Sequence, residues 1–254
     1  MTIGGDEPEP VARIERVADE DAARRLLLPG LSTYFGPFLH RFAIDTLRSR
    51  GEVWVSRSPS GVDGLFLYLE AERTGSIFTR SSAVAGTFAS FRPGSSVYTE
   101  FRLGREREPY GIFVGPTAAR DHRFRHPVRP ARESDRVGIL SLLTSVYGAV
   151  AESWFDRVER EDELGFVVDG HAELAGAGWI SLESGIGRLH SLAVRPRYRR
   201  LGIGSDLWHA RAFAASHAGA SALLTEIAEL NVPSRRIAEA GGMRRVGAIY
   251  RCVA

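Results

Sequence analysis

The stretch RPRYRRLGIG, Arg195–Gly204, puts four arginines into six residues and follows them with two glycines one residue apart. Fixed cations beside residues that lack side chains suit one task, the close holding of an oxyanion. The flanks decide how it could be done. Before the stretch, GRLHSLAV (Gly187–Val194) reads as a strand, and after it SDLWHARAFAASHAG places Leu207, Ala210, Phe213, Ala214 and His217 at helical spacing. A helix N-terminus offers amide N–H groups with no intrahelical partner, and its dipole adds positive potential. Gly202 and Gly204 let a phosphate approach those amides, and Arg199 or Arg200 adds charge. Each charge-assisted bond contributes about 1.5–3 kcal/mol, so several together could hold a pyrophosphate. Two common phosphate loops are excluded. The chain contains no lysine for GxxxxGK[ST], and Leu207 stands at the third glycine position of GxGxxG.

The elements that must carry this loop recur along the chain. IERVADEDAARRLL (Ile14–Leu27) and VRPARESDRVGILSLL (Val128–Leu143) each read as an extended stretch, an acidic turn and an amphipathic helix, about half the chain apart. In the first half EVWVS, GLFLYLE and SIFT read as strands, SSAVAGTFASF as a helix, then SVYTEF and YGIFV as strands. In the second half LGFVVDG, LAGAGWISLE and GRLHSLAV read as strands ahead of the loop and its helix. ALLTEIAE follows as a strand, NVPSRRIAEAGG as a helix, and RRVGAIYRCVA as a last strand. The linker GPTAARDHRFRHPVRP, with three prolines, suggests a boundary near residue 125. The expected organisation is an N-terminal tail over 1–12, one domain over 13–125 and a second over 126–254.

Bulk properties narrow the function classes. The 254 residues are 44% hydrophobic and 25% charged, ordinary for a globular protein. No apolar run reaches the length of a membrane helix, and the acidic, Pro- and Gly-rich start is unlike a signal peptide. The single cysteine, Cys252, excludes a disulfide framework or a cysteine zinc site and reads as packing; a cytoplasmic setting is the expectation. A net charge of +2 argues against a nucleic-acid partner, and arginine is the cation everywhere in this lysine-free chain, so its density in the loop is weak information. His122 and His126 sit in the linker without a third ligand, so no metal is expected, and Asp206 and His209 read as a helix-surface pair.

Three patterns in order then carry a resemblance: VRPARESD at a first strand, HSLAVRPRYRRLGIG with R-x-x-G-x-G at a fourth strand and loop, and N-x-x-S-x-R-I-A-E-x-G-G-M from Asn231 to Met243, where the chain's one asparagine falls. Over roughly Val128–Cys252 the sequence resembles the GNAT superfamily of N-acetyltransferases, and its last pattern resembles the branch that acetylates ribosomal proteins. The resemblance implies an α/β (α+β) fold of two GNAT-like domains, each a mixed, mainly antiparallel sheet flanked by helices. It implies acetyl-CoA as co-substrate, no metal, and an amine acceptor. It assigns pyrophosphate to Arg199, Arg200, Leu201, Gly202, Ile203 and Gly204. The pantetheine arm would pair with the strand Leu192, Ala193 and Val194, with Asn231 and Ser234 near the thioester.

Acetyl transfer needs a neutral amine, and a lysine-like amine of pKa near 10.4 is neutral in only about one molecule in 10³ at pH 7. A base is therefore required. His190, two residues before Leu192, Glu226 on the next strand and Glu183 at the end of the preceding one are the candidates by place. Where many family members carry an acid tyrosine, this chain has Ala238, which leaves Ser234, a water or Tyr250 for that role. The first half carries RSSAVAG in place of the R-x-x-G-x-G loop and is expected to be a worn copy without pyrophosphate binding. The alternative to an enzyme is a non-catalytic acyl-CoA sensor.

Overall fold

The structure, a computed structural model, describes residues 13–28, 30–103, 105–117, 122–148 and 163–254. The expected tail lies outside them. The chain forms two compact units, one of residues 1–108 with Ile249–Ala254 and one of Pro109–Ala248. The division falls between Glu108 and Pro109, not near residue 125. The reason is a strand: Tyr110–Pro116 pairs with Ala222–Ala228 of the second unit, so the linker prolines lie inside that unit.

The strands of the first unit are β1 (Arg13–Arg16), β2 (Glu52–Ser58), β3 (Gly61–Leu69), β4 (Thr74–Thr79) and β5 (Ser96–Thr99); buried positions alternate along β4 and β5, whereas β3 is a continuous buried run. They pair in that order, antiparallel except for the parallel pair β4–β5. The helices are α1 (Glu20–Arg24), α2 (Leu39–Arg48) and α3 (Ser82–Ala89), and α3 crosses from β4 to β5 as a parallel pair requires. Phe66, Tyr68, Ile77, Phe88, Val97 and Cys252 form the core, so Cys252 is a packing residue as expected.

The second unit holds β6 (Arg105–Pro116, which starts in the first unit), β7 (Val128–Pro130), β8 (Glu163–Asp169), β9 (Leu174–Glu183), β10 (Ile186–Val194) and β11 (Ala222–Ala228). Its helices are α4 (Arg136–Tyr147), α5 (Ile203–His217) and α6 (Val232–Ala240). The sheet order is β6-β11-β10-β9-β8-β7, antiparallel except for β10–β11. The last strand, β12 (Arg244–Val253), begins in the second unit and ends in the first, where Tyr250–Val253 pair with Ser96–Thr99. Each unit is thus a mixed, mainly antiparallel sheet flanked by helices.

The buried face of α5 differs from the sequence expectation. Ile203, Asp206, Leu207, Trp208, Arg211, Ala212 and Ala215 are buried, whereas Phe213 is 55% exposed and lies tilted against the His217 ring. The expected set rotated the helix because the true face contains two charged residues. α5 packs against α6 at Gly241, where an added Cβ would lie 2.2 Å from Trp208 Cη2. Gly241→Ala is expected to cost about 1–3 kcal/mol by overpacking, read as a lowered Tm in thermal unfolding.

Candidate active site

Three local features of the second unit converge. The first is a parting of strands. β10 and β11 pair only from Ile186↔Ala222 to Arg188↔Leu224, after which β11 continues along β6 while β10 runs on alone on that side. The second is a bulge. The β10–β9 register shifts between His190 and Ala193, and Ser191 there has φ +61°. Such a backbone is uncommon for a residue with a Cβ and collects at functional positions. Arg211 of α5 holds the bulge, donating from Nη1 to the carbonyls of Trp179 and His190 and from Nε to Leu207. It is 2% exposed, and burial pushes its pKa down to about 10. Tyr147, at the end of α4, donates its hydroxyl to the Leu192 carbonyl at 3.2 Å.

The third feature is the loop. Arg200 and Gly202 have positive φ, +65° and +98°, turning the chain sharply into α5. Gly202 is the N-cap, with no side chain capping it among the described residues. Gly204 packs where a Cβ would meet Ile237 of α6 at 3.0 Å, which keeps the first turn of α5 against its neighbour. Ile203 is buried with Val168, Ala175 and Leu207. Leu201 is exposed. The four arginines have separate duties. Arg195 bonds the Leu174 carbonyl and Ser141, and both Arg195 and Arg197 pair with Glu173. Arg199 donates to the Val194 carbonyl. Arg200 is exposed and has no ion-pair partner among the described residues.

The equivalent connection in the first unit is closed. There Thr79 Oγ1 accepts from the Ser81 amide and Ser81 Oγ from the Val84 amide, at 3.1 and 3.3 Å. The N-cap Ser81 thus covers the Val84 amide in the first turn of α3, whereas the first turn of α5 has no side-chain cap among the described residues.

The proton-transfer candidates separate by geometry. Leu189, Ile180 and Leu223 pack with α5, so by strand alternation Arg188, His190 and Ser181 face the other side of the sheet. His190 Nε2 lies 2.8 Å from Ser181 Oγ and 3.2 Å from Glu163 Oε2, and its Nδ1 lies 2.9 Å from Ser191 Oγ. Burial lowers its pKa below the ordinary 6.5, and the hydrogen bond and charge of Glu163 oppose that only in part. A neutral imidazole results, in contact with the bulge hydroxyl. Glu226 is engaged by Arg188, whose Nε donates to it at 2.8 Å. Glu183 ends β9 at a hairpin turn, four residues past Trp179, the cross-strand partner of His190, and so about 13 Å along the strand. That distance removes Glu183 from the bulge.

The other candidates have structural partners. Asn231 is the N-cap of α6, accepting from the Ser234 amide at 3.3 Å, and half-buried Ser234 lies one turn before Ile237 and Ala238. Ala238 is buried in the core with Trp208, so this position has no room for an acid. Tyr250 belongs to the first unit, where Arg102 lies over its ring at 4.9 Å.

Sequence reasoning missed Glu163, Ser191, Tyr147 and Arg211. The signal for Arg211 was an arginine exactly four residues after Leu207, on the helix's apolar side. It also misread Asp206. That residue is 1% exposed and accepts from His122 Nε2 (2.7 Å), His126 Nδ1 (2.8 Å) and the amides of Arg125 and His126 (3.4 and 3.1 Å). Burial pushes its carboxyl upward, but these donors outweigh that and hold it below the usual range. His209 stacks on His122 at 3.8 Å, and burial, reinforced by His122, lowers its pKa to about 4.

The unfolded chain therefore takes up a proton below pH 6.5 that the folded His209 refuses. Stability present above pH 6.5 is lost as pH falls from there to about 4. Thermal unfolding at pH 7 and pH 5 should show a Tm fall of several degrees, and His209→Phe should flatten it.

Comparison with known proteins agrees with this architecture. The family model described as acetyltransferase (GNAT) family matches residues 139–242. No curated protein matches the sequence. Among solved structures, a tandem GNAT protein from the clavulanic acid biosynthesis pathway superposes with TM-score 0.61 at 13% identity, covering 94% of this chain and 97% of that one. A GNAT-family acetyltransferase from Colwellia psychrerythraea gives 0.59 at 10% identity, covering 94% and 98%. A GCN5-related N-acetyltransferase from Sphaerobacter thermophilus gives 0.58 at 13%, covering 79% and 80%. At these identities the structures speak for the fold, and the family model speaks for the sequence. Residues 139–242 thus carry a domain of the acetyltransferase (GNAT) family, within a chain whose fold is similar to that of tandem GNAT proteins.

Proposed function

We propose that the second unit transfers an acetyl group from acetyl-CoA to the nitrogen of an amine, either a small molecule or a protein N-terminus, and that the first unit binds no acetyl-CoA. The observation that carries this reading is the adjacency of an open helix N-terminus, at Gly202–Gly204, to a strand edge that parts from its neighbour after Arg188. The loop suits a pyrophosphate, and the edge of β10 at Leu192–Val194, where β11 has parted from it, suits the pantetheine arm as an added strand that would displace the Tyr147 and Arg199 donors from the Leu192 and Val194 carbonyls.

In the chemical step the amine nitrogen attacks the thioester carbonyl carbon, the C–S bond breaks and the thiolate leaves. His190, held neutral by burial, takes the amine proton, and the Ser191 hydroxyl is the group through which that buried ring reaches the bulge. The Glu163 carboxylate then stabilises the imidazolium. Glu226, already engaged by Arg188, orients that arginine at the parting of the strands. Ser234 or water supplies the proton for the thiolate, because Ala238 cannot.

The test is thiol release from acetyl-CoA across a panel of primary amines and N-terminal peptides. Amine-dependent release supports the reading. Tight acetyl-CoA binding without release by any amine would favour an acyl-CoA sensor instead.

A further inference from the structure

Asp206 sits in the first turn of α5, at the end of the helix where an anion is to bind. An uncompensated carboxylate there would oppose a pyrophosphate. The chain compensates it completely. Two imidazoles and two backbone amides from His122–His126 converge on its two oxygens, and the residue is almost fully buried. The same four bonds fasten the segment 122–126 across the start of the helix, and His209 stacks beneath His122.

The residue between those anchors is Arg125. Its amide is tied to Asp206, while its side chain is exposed and extends over the loop. The point where a Cβ on Gly202 would sit lies 3.2 Å from Arg125 Cδ and 3.8 Å from its Nη1. Arg125 has no ion-pair partner among the described residues, unlike Arg195 and Arg197 in the loop itself. A guanidinium whose residue is fixed by its backbone and which lies against a helix N-terminus without a side-chain cap is placed to be a further ligand for an anion held there.

We propose that Arg125 binds the pyrophosphate of the acyl-CoA beside Gly202, in addition to the loop itself, and that Asp206 with His122 and His126 is the device that positions it. This rests on the acetyl-CoA reading of the loop. The segment lies outside the R-x-x-G-x-G motif, between β6 and β7, so no loop motif reports it.

The experiment measures calorimetric affinity of the full chain for acetyl-CoA and for its 3′-dephospho form. Arg125→Ala keeps the backbone and imidazole bonds to Asp206, and it is expected to weaken both ligands equally, by about tenfold or more. Arg125→Lys should retain part of the affinity. His122→Ala should weaken binding severalfold in the native background and have no further effect in Arg125→Ala. Unchanged affinity in Arg125→Ala overturns the proposal. A loss confined to the 3′-phosphorylated ligand also overturns it, by moving Arg125 from the pyrophosphate to the 3′-phosphate. Equal losses from His122→Ala in both backgrounds overturn the positioning role. Absence of binding by the native protein is a different result, the failure of the acetyl-CoA reading itself.

Discussion

Gly202→Asp is expected to raise the Kd for acetyl-CoA at least about 100-fold while the second unit stays folded. Two effects act together. Gly202 has φ +98°, where a side chain adds strain on the order of 1 kcal/mol. The introduced carboxylate also stands at the N-cap of α5, where the pyrophosphate would accept amide hydrogen bonds, and repels it at close range. Loss of two charge-assisted bonds, at about 1.5–3 kcal/mol each, already accounts for a factor of 100 or more. The fold tolerates the change because the nearest atoms to the new Cβ belong to Arg125, an exposed arm that can swing aside. Circular dichroism should remain native and Tm should fall by a few degrees. Native affinity in this variant would show that the loop does not hold the cofactor's phosphates.

His190→Gln is expected to lower kcat by about 10²–10³ with acetyl-CoA affinity retained. Glutamine can keep hydrogen bonds to Ser181 and Ser191 but cannot take a proton. The pH dependence gives an independent sign. Because burial lowers the His190 pKa, the neutral base persists below the ordinary 6.5, and the acid limb of kcat in the native enzyme should lie below that value. The limb should vanish in the variant. Ser191→Gly removes the hydroxyl and relieves φ +61°, so it should lower kcat without loss of stability. Glu226→Gln should have the smaller effect, since its carboxylate is bonded to Arg188. If Glu226→Gln lowers kcat more than His190→Gln does, the base has been assigned to the wrong strand.

The regular strands were legible because short apolar or alternating runs are bounded by turn residues, and β9 is buried over eight successive residues. LAGAGWISLE coincides with β9, and GRLHSLAV differs from β10 by one residue at its start. The loop was legible because glycine and arginine spacing is local. What escaped the sequence is what depends on long-range contact. Asp206 and Arg211 lie on a buried helix face, and each is tolerated there only because distant groups meet it: His122 and His126 in one case, the Trp179 and His190 carbonyls in the other. A periodicity argument that treats charge as exposure must rotate that helix. The same assumption hides α2, whose buried face includes Arg41 and Thr46. The boundary was misplaced because prolines mark a bend in the chain, whereas strand pairing of Tyr110–Pro116 decides to which unit a segment belongs. The buried state of His190 was not legible either, since Glu163, Ser181 and Ser191 come from three strands.

The two units differ at the start of the helix that follows β4 in the one and β10 in the other. Before α3, Thr79 and Ser81 occupy the Ser81 and Val84 amides, while α5 has no side-chain cap at Gly202 among the described residues. Calorimetric titration of the full chain with acetyl-CoA should therefore give one binding site per chain, absent in Gly202→Asp. Two sites per chain, no site, or one site that survives Gly202→Asp would contradict it.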